Sequence, residues 1–352
     1  MANDPQVPWT DEQWARVNQV IQEEAKRART AATFLPLYGP LSPDSDYVRQ
    51  QGIAYTAPAL PAPPAVLAAA QAQLNNALQQ YQIELAAGNL ANVALEQQRI
   101  AAAEAVIGRN QLNIADRDTI RLATLQVTVP VRGAQMADPE LSSTLALFRR
   151  AANVVARLED AVVFRGLAAD PLNPGGFAPP GGLGGLPRIW QITGAQAARG
   201  IWTGPFPPPG PWIIIPAAPI AGRGQALVGA ISNAIGQLEQ NGQFGPFAVV
   251  LGQQLFLVAQ TPDPGSLVLP QDRIVPFLGG GPLLRTSTLD DWGGFSGVVI
   301  ALGGAPVELV VATDVCLQFL QLSLDPAYYF RVSEKIALRI KEPQAIVQLY
   351  ML

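Results

Sequence analysis

Histidine is absent from the 352 residues of the chain. Histidine is the usual general base near neutral pH and the commonest ligand of transition metals in proteins. Its absence excludes serine-histidine-aspartate and cysteine-histidine catalysis, together with zinc and di-iron sites that need an imidazole. We therefore expect no catalytic residue, no metal and no cofactor, and a protein that is not an enzyme.

The sequence also lacks a phosphate-binding Gly-x-x-x-x-Gly-Lys-Ser/Thr loop and a Gly-x-Ser-x-Gly nucleophile elbow. The glycine-rich run from Gly181 to Gly185 has no flanking strand and helix of the kind a dinucleotide site needs, so it predicts a loop. An enzyme of another class would have Asp290 and Asp291 as its best carboxylate pair, although a solvated turn explains them more simply.

Charge and cysteine are both scarce. Charged residues make up 14% of the chain, the net charge is −4, and 20 of the 23 basic residues are arginines scattered along the sequence. No basic stripe marks a nucleic-acid surface, so we expect no direct binding of nucleic acid. The single cysteine, Cys316, cannot form a disulfide within the chain, and its apolar neighbours predict a buried structural thiol.

The chain has no long hydrophobic run. Its first residues are polar and acidic where a signal peptide would be basic and then apolar. No uninterrupted apolar stretch approaches the roughly 20 residues that a membrane span requires. We therefore expect a cytoplasmic protein that does not enter a membrane.

What the sequence does contain is a succession of helical patterns in its first two thirds. A capping-box pattern, Thr10 with Gln13, opens a predicted helix over residues 10–28. Apolar residues at intervals of three, four and seven predict a helical hairpin over about 64–108, with its turn at Gly88-Asn89. Further helices are predicted from Asp138-Pro139 to a terminating Gly166, over 224–240, and through Leu255 and Phe256.

Strand patterns dominate the end of the chain. Alternating residues predict a strand over 123–131, residues 168–223 are rich in proline and glycine and predict irregular or edge structure, and 247–251 predicts a buried strand. The remaining predicted strands are 298–302, 307–311, 328–332, 336–340 and 346–350. The fold class is therefore α+β, with a helix-rich first half and a strand-rich end.

Three stretches of sequence, taken in order, are similar to the encapsulin shell proteins of bacteria. The first is Trp9–Trp14 with Phe34–Pro40, the second is Ala151–Gly166 with its Glu159-Asp160 pair, and the third comprises Gly245–Leu251, Val307–Asp314 and Glu342–Ala345. The hairpin at about 64–108 and the proline-rich block at 203–222 depart from the family's pattern. Both departures would change subunit contacts or shell size before they changed the fold.

The resemblance implies the fold of tailed-phage major capsid proteins, of the Hong Kong phage type. The chain would then divide into an N-terminal helix and arm (1–40), an extended loop carrying the hairpin (41–120), a peripheral domain (121–221 and 298–352) and an axial domain (222–297). It also implies a homo-oligomer that closes into an icosahedral shell and encloses a cargo enzyme by binding its targeting peptide. The main alternative is the major capsid protein of a tailed phage or prophage, which has the same fold.

Two sites follow from the resemblance. A groove for the cargo peptide would be lined by Trp14, Val17, Ile21, Phe34 and Leu37 with Asp314 nearby, although the same side chains could be core. A loop at the fivefold pore would consist of Thr261, Pro262, Asp263, Pro264 and Gly265. In that loop Asp263 would either place a ring of carboxylates at the opening or serve only to form the turn.

Overall fold

A computed structural model describes most of the chain, namely residues 6–56, 64–87, 89–107, 111–115, 118–184, 186, 188–202, 212–216, 222–265, 267–292, 295–323 and 327–351. Most of the proline-rich block at 203–222 lies outside the described residues. The chain forms two compact units. One unit comprises residues 51–116, and the other comprises the chain before and after that segment.

In chain order the helices are α1 (Asp11–Ala28), α2 (Pro64–Ala86), α3 (Leu90–Ile107), α4 (Gly133–Met136), α5 (Ser142–Arg165), α6 (Arg223–Gln240), α7 (Gln253–Gln260) and α8 (Pro270–Ile274). Strands of the first half are β1 (Leu37–Tyr38), β2 (Tyr47–Arg49), β3 (Gly52–Thr56), β4 (Gln111–Ala115), β5 (Thr119–Arg121), β6 (Ala123–Arg132), β7 (Gly166–Ala169) and β8 (Phe177–Ala178). Those of the second half are β9 (Trp190–Thr193), β10 (Ala198–Arg199), β11 (Trp212–Ile215), β12 (Phe247–Leu251), β13 (Leu283–Arg285), β14 (Ser296–Ala301), β15 (Val307–Leu322), β16 (Ala327–Ile340) and β17 (Ile346–Met351).

Helix α1 begins where the capping-box pattern predicts. The Thr10 hydroxyl accepts a hydrogen bond from the Gln13 backbone N–H at 3.2 Å, and the Gln13 side-chain oxygen accepts one from the Thr10 N–H at 3.0 Å. This reciprocal arrangement satisfies two backbone donors that the first turn of a helix leaves without an intrahelical partner.

The sequence places the start of α5 at Asp138-Pro139, whereas the helix begins three residues after Pro139, at Ser142. The Asp138 carboxylate accepts hydrogen bonds from the backbone N–H groups of Glu140 and Ser142, both at 3.0 Å, which holds these residues in a turn ahead of the helix. Leu141 then takes a left-handed conformation with φ of 51°. The predicted end at Gly166 is confirmed, with φ of 78° at that glycine.

Two five-stranded sheets organise the larger unit. The first has the order β1-β15-β16-β6-β9, antiparallel except for the short β1, which runs parallel to β15. The second has the order β11-β17-β14-β12-β13 and is mixed. Strands β12 and β14 are buried along their whole length, as expected when both faces of a sheet are covered.

Two hydrophobic cores cover the second sheet. One face of the sheet, through Val249, Val299 and Val347, packs with α6 and α7. The other face, through Val250 and Ile300, joins the larger core that α1 and α5 build on the first sheet. Strands β14 and β17 thus share a sheet with β12, and the expected division into peripheral and axial domains stays a prediction.

The strands at the end of the chain are longer than the sequence predicts. The segments 328–332 and 336–340 belong to one strand, β16, and the segment predicted over 307–311 continues to Leu322 as β15. Three register shifts interrupt the pairing of β15 with β16, between Val311 and Thr313, Thr313 and Cys316, and Phe319 and Gln321. These irregularities break the alternation that marks a continuous strand in sequence.

The smaller unit contains the predicted helical hairpin, formed by α2 and α3, with β3 and β4 paired antiparallel at its base. Among the helices that the structure describes, none combines the length and the hydropathy needed to cross a bilayer.

Two glycines test how tightly the end of α5 is packed. Gly166 and Gly175 have similar positive φ angles of 78° and 83°. A Cβ at position 166 would lie 2.3 Å from the Ala198 carbonyl oxygen, whereas one at position 175 would meet nothing within 4 Å. We expect Gly175→Ala to lower the free energy of unfolding by about 1–2 kcal/mol through backbone strain alone. Gly166→Ala should cost about 1–3 kcal/mol more, because its backbone angles (φ 78°, ψ −162°) are open almost only to glycine and because backbone atoms must move. Urea unfolding of both variants measures the difference, and equal losses would contradict this packing.

Candidate functional site

Four of the six residues predicted to line a cargo groove lie in the larger hydrophobic core. Trp14, Val17 and Ile21 are buried on the face of α1 that packs against α5 and β15, and Phe34 is buried against Phe164. Aromatic rings surround Trp14: Trp9 meets it edge to face at 5.0 Å. In this chain their immediate role is therefore to hold α1 on the fold.

The remaining two groove residues are exposed. Leu37, in β1, has 60% of its surface accessible, and the Asp314 side chain in β15 has 51% accessible. Beside Leu37, the half-exposed Tyr38 ring lies under the guanidinium of the buried Arg339, 4.1 Å from its centroid. The groove itself stays a prediction, and these two residues are the members of the set that a peptide could reach in this conformation.

A cluster of buried acids lies where the C-terminal end of α1 meets α5 and the two long strands. The Arg29 guanidinium is 3.0 Å from the Asp314 carboxylate, 3.8 Å from Glu159 on α5 and 3.7 Å from Glu334 on β16. Glu159 and Glu334 are both fully shielded from solvent. One cation therefore faces three carboxyl groups, two of which have no contact with water.

Asp160, next to Glu159, ties the end of α1 to α5 directly. Its carboxylate accepts hydrogen bonds from the backbone N–H of Thr30 at 2.9 and 3.0 Å and from that of Ala31 at 2.7 Å. The Glu159-Asp160 pair that carries part of the family resemblance thus has a structural use, because one carboxylate anchors the chain that follows α1.

The protonation of this cluster is shifted. Burial, and then the nearby Asp160 charge, raises the pKa of Glu159 from 4.5 to about 8. Burial and the Glu159 carboxyl likewise raise the pKa of Glu334. The pKa of Asp160 rises to about 6 through burial, against the opposing effect of its backbone hydrogen bonds. None of the four carboxyl oxygens of Glu159 and Glu334 receives a hydrogen bond among the described residues. A hydrogen bond between the two carboxyls would join two of these oxygens and requires a proton on one of them, which the raised pKa of Glu159 favours.

The raised pKa of Glu159 predicts the direction in which stability depends on pH. The folded protein keeps a proton that the unfolded chain has released, so the free energy of unfolding should fall as pH rises from about 4.5 to about 8. Glu159→Gln removes this ionisation and should flatten the dependence by up to one proton, about 1.4 kcal/mol per pH unit. Chemical denaturation at a series of pH values measures the slope.

Glu140→Gln is the matched control for this experiment, because Glu140 is 76% exposed and forms only a surface ion pair with Arg16. Its slope should equal that of the unsubstituted protein. The same slope in Glu159→Gln would show that Glu159 is already ionised in the folded state.

The predicted pore loop lies between α7 and α8, where Thr261 to Gly265 are exposed except for the half-buried Asp263. The Asp263 carboxylate accepts a hydrogen bond from the backbone N–H of Gly224, at 3.2 Å, in the first turn of α6. A carboxylate at this position also interacts favourably with the helix dipole. Asp263 therefore anchors the loop to α6, while its place at a pore stays a prediction.

Asp290 and Cys316, which the sequence analysis also considered, both make local contacts within the fold. The Asp290 carboxylate accepts a hydrogen bond from Gln253 N–H at 2.5 Å, at the start of α7. Cys316 is buried as predicted, 3.9 Å from the Ser333 hydroxyl. Within the described ranges, no three His, Cys, Asp or Glu side chains are grouped so as to hold a metal ion.

Two members of the buried cluster, Arg29 and Glu334, did not emerge from the sequence. The pattern of β16 does contain a signal for Glu334, since it lies two residues from Val332 and Ile336 and therefore on the same, buried face of the strand. A carboxylate at a core position of a strand predicts a buried partner. Arg29 carries no such signal, because a basic residue at the end of a helix is usually solvated.

Comparison with known proteins gives a sequence relationship over one third of the chain. A family model described as an encapsulating protein for peroxidase matches residues 215–337. The type 1 encapsulin shell protein EncA of Myxococcus xanthus (strain DK1622) is 34% identical over 120 residues, which cover 34% of this chain and 40% of that protein. The chain thus matches less than half the length of this curated relative. The resemblance to the encapsulin shell family is confirmed within residues 215–337, which contain β12 to β15 and most of β16.

Structural likeness extends over nearly the whole chain. A virus-like particle from Pyrococcus furiosus matches 95% of this chain and 98% of its own, with a TM-score of 0.55 and 15% identity. A structure from Mycobacterium phage Adephagia matches 94% of this chain and 90% of its own, with a TM-score of 0.51 and 12% identity. At these identities the likeness is one of fold, and it confirms the tailed-phage capsid fold predicted from the sequence.

Proposed function

We propose that this chain is the shell subunit of an encapsulin-type compartment, whose copies assemble into a closed icosahedral particle around a cargo enzyme in the cytoplasm. The observation that carries the proposal is the match of the encapsulating-protein family model to residues 215–337. That region supplies most of the second sheet and its helices, together with β15 and much of β16. The role is structural rather than catalytic.

The surface of the segment from Phe244 to Phe277 supports assembly. It exposes large apolar side chains in succession, with Leu267 fully accessible and Phe244, Leu257, Val268, Val275 and Phe277 about half exposed or more. Single exposed apolar residues are common on monomers, whereas several within one segment favour contact with another protein surface. Contact between copies would remove these side chains from water, as in the interfaces of homo-oligomers.

Cargo would be held through a short targeting peptide on the inner surface. The support for a site near α1 comes from two exposed residues, Leu37 in β1 and Asp314 within β15, the strand that pairs with β1. Leu37 offers an apolar contact, while Asp314 is held in place by Arg29. A peptide bound here would offer an apolar side chain to Leu37 and a basic or polar side chain to Asp314.

The phage alternative is distinguished by what assembly requires. Under the phage alternative, the chain would have the same fold but would depend on scaffolding and portal proteins to assemble. Negative-stain electron microscopy of the chain expressed alone, with no other gene from its source, separates the two functions. We expect closed particles of uniform diameter, and analytical ultracentrifugation of the same sample should give one fast-sedimenting species.

Two outcomes would contradict the proposal. Monomers or small oligomers at all concentrations would remove self-assembly as an intrinsic property of the chain. Open sheets and tubes that become closed particles only when a scaffolding protein is added would favour the capsid alternative.

A further inference from the structure

The helices of the hairpin pack along a seven-residue repeat. The residues that are buried or half-buried between them recur at intervals of four and three, namely Ala70, Leu74, Ala77, Tyr81 and Glu84 on α2 and Val93, Glu96, Ile100 and Ala103 on α3. This spacing is typical of helices that meet along a narrow seam. The alanines at the seam allow the two backbones to approach closely.

One column of leucines lies beside this seam and remains uncovered. Leu78 and Leu85 each follow a seam residue by one position, are seven residues apart, and are 43% and 53% exposed. A pair of helices needs only the seam itself to be apolar, whereas a third and fourth helix require the apolar stripe to widen by one column. The hairpin therefore carries more apolar surface than its own two helices cover.

The charge of the hairpin indicates the kind of partner. Among its described side chains, the charged ones are Glu84, Glu96 and Arg99, and Glu96 is paired with Arg99 at 2.7 Å. The outward positions of α2 are mainly Gln, Asn and Ala. Two such surfaces do not repel each other, whereas a nucleic acid or an acidic membrane would find no row of basic residues.

The available area is sufficient for a specific contact. Helix α2 has 23 residues and α3 has 18. At 1.5 Å per residue the shared length is about 27 Å, and two helices about 10 Å apart present a face about 20 Å wide. Two copies would together bury about 1,100 Å², which reaches the lower limit for a biological interface.

We propose that the α2–α3 hairpin pairs with the same hairpin of a second copy of this chain, so that Leu78 and Leu85 are buried in a four-helix bundle. The contact is between identical surfaces, and it holds whether or not the copies also close into a shell. The hairpin is then an assembly element of its own.

Charge complementation tests whether the surface contacts itself. One variant carries Leu78→Glu with Leu85→Glu, and the other carries Leu78→Lys with Leu85→Lys. Like charges meet in either variant alone, so the concentration at which half the protein is released from its assemblies should rise about tenfold or more. Co-expression of the two variants places opposite charges together and should return that concentration to within about threefold of the unsubstituted protein. Sedimentation velocity over a dilution series measures it.

The matched controls place the same charges on the outward face, as Gln79→Glu with Gln82→Glu and as Gln79→Lys with Gln82→Lys, and should leave self-association unchanged. Both of these glutamines are exposed. Circular dichroism verifies that every variant keeps its helical content. If self-association does not recover when the two leucine variants are co-expressed, the leucines contact a different surface. If self-association is unchanged in each leucine variant alone, they contact none. Either result overturns the inference.

The same sedimentation data keep this inference separate from the proposed function. Dimers that are weakened in each leucine variant and recover on co-expression, but never form larger particles, would contradict the shell and support the hairpin contact. Shells that are equally stable in the unsubstituted protein and in both leucine variants would support the proposed function and overturn the hairpin contact.

Discussion

The burial of the C-terminal half of α5 on all sides is the constraint on which the larger unit depends. From Val154 to Phe164 its side chains are buried or nearly so, against α1 on one side and the first sheet on another. A helix in such surroundings must satisfy every polar group it carries into the interior. Asp160 does so by accepting hydrogen bonds from the backbone N–H groups of Thr30 and Ala31. Glu159 lies 3.8 Å from the Arg29 guanidinium, and burial raises its pKa to about 8, which favours the neutral carboxyl in the interior. The attachment of α1 to the fold thus depends on carboxyl groups as well as on Trp14 and its apolar neighbours.

Much of this architecture is readable from the sequence because it rests on local patterns. The capping pair of Thr10 and Gln13 places the start of α1, Gly166 places the end of α5, and the seven-residue repeat predicts the hairpin. Buried runs such as Phe247–Leu251 also predict strands correctly, since they are short, apolar and bounded by glycine or proline. Each of these signals lies within a few residues of the structure it specifies.

The features that the sequence leaves open or does not show depend on contacts between distant residues. Whether Trp14 and Phe34 line a groove or fill a core is decided by what α5 and β16 place over them, and a helical periodicity is the same in both cases. The length of β15 was underestimated because its register shifts interrupt the alternation of apolar and polar residues. Arg29 joins three carboxyl groups that are more than 100 residues away along the chain. No local pattern can indicate such a meeting point.

The burial of Cys316 has a practical consequence for the assembly proposed above. Its sulfur is buried against Ser333, and burial raises the pKa of the thiol, so the reactive thiolate is scarce at neutral pH. Since this buried thiol belongs to the one cysteine of the chain, two copies in contact would have no exposed thiol with which to form a disulfide in air. The native thiol should therefore not react readily with maleimide dyes. A cysteine introduced at a surface position would then be the single point of attachment on each chain.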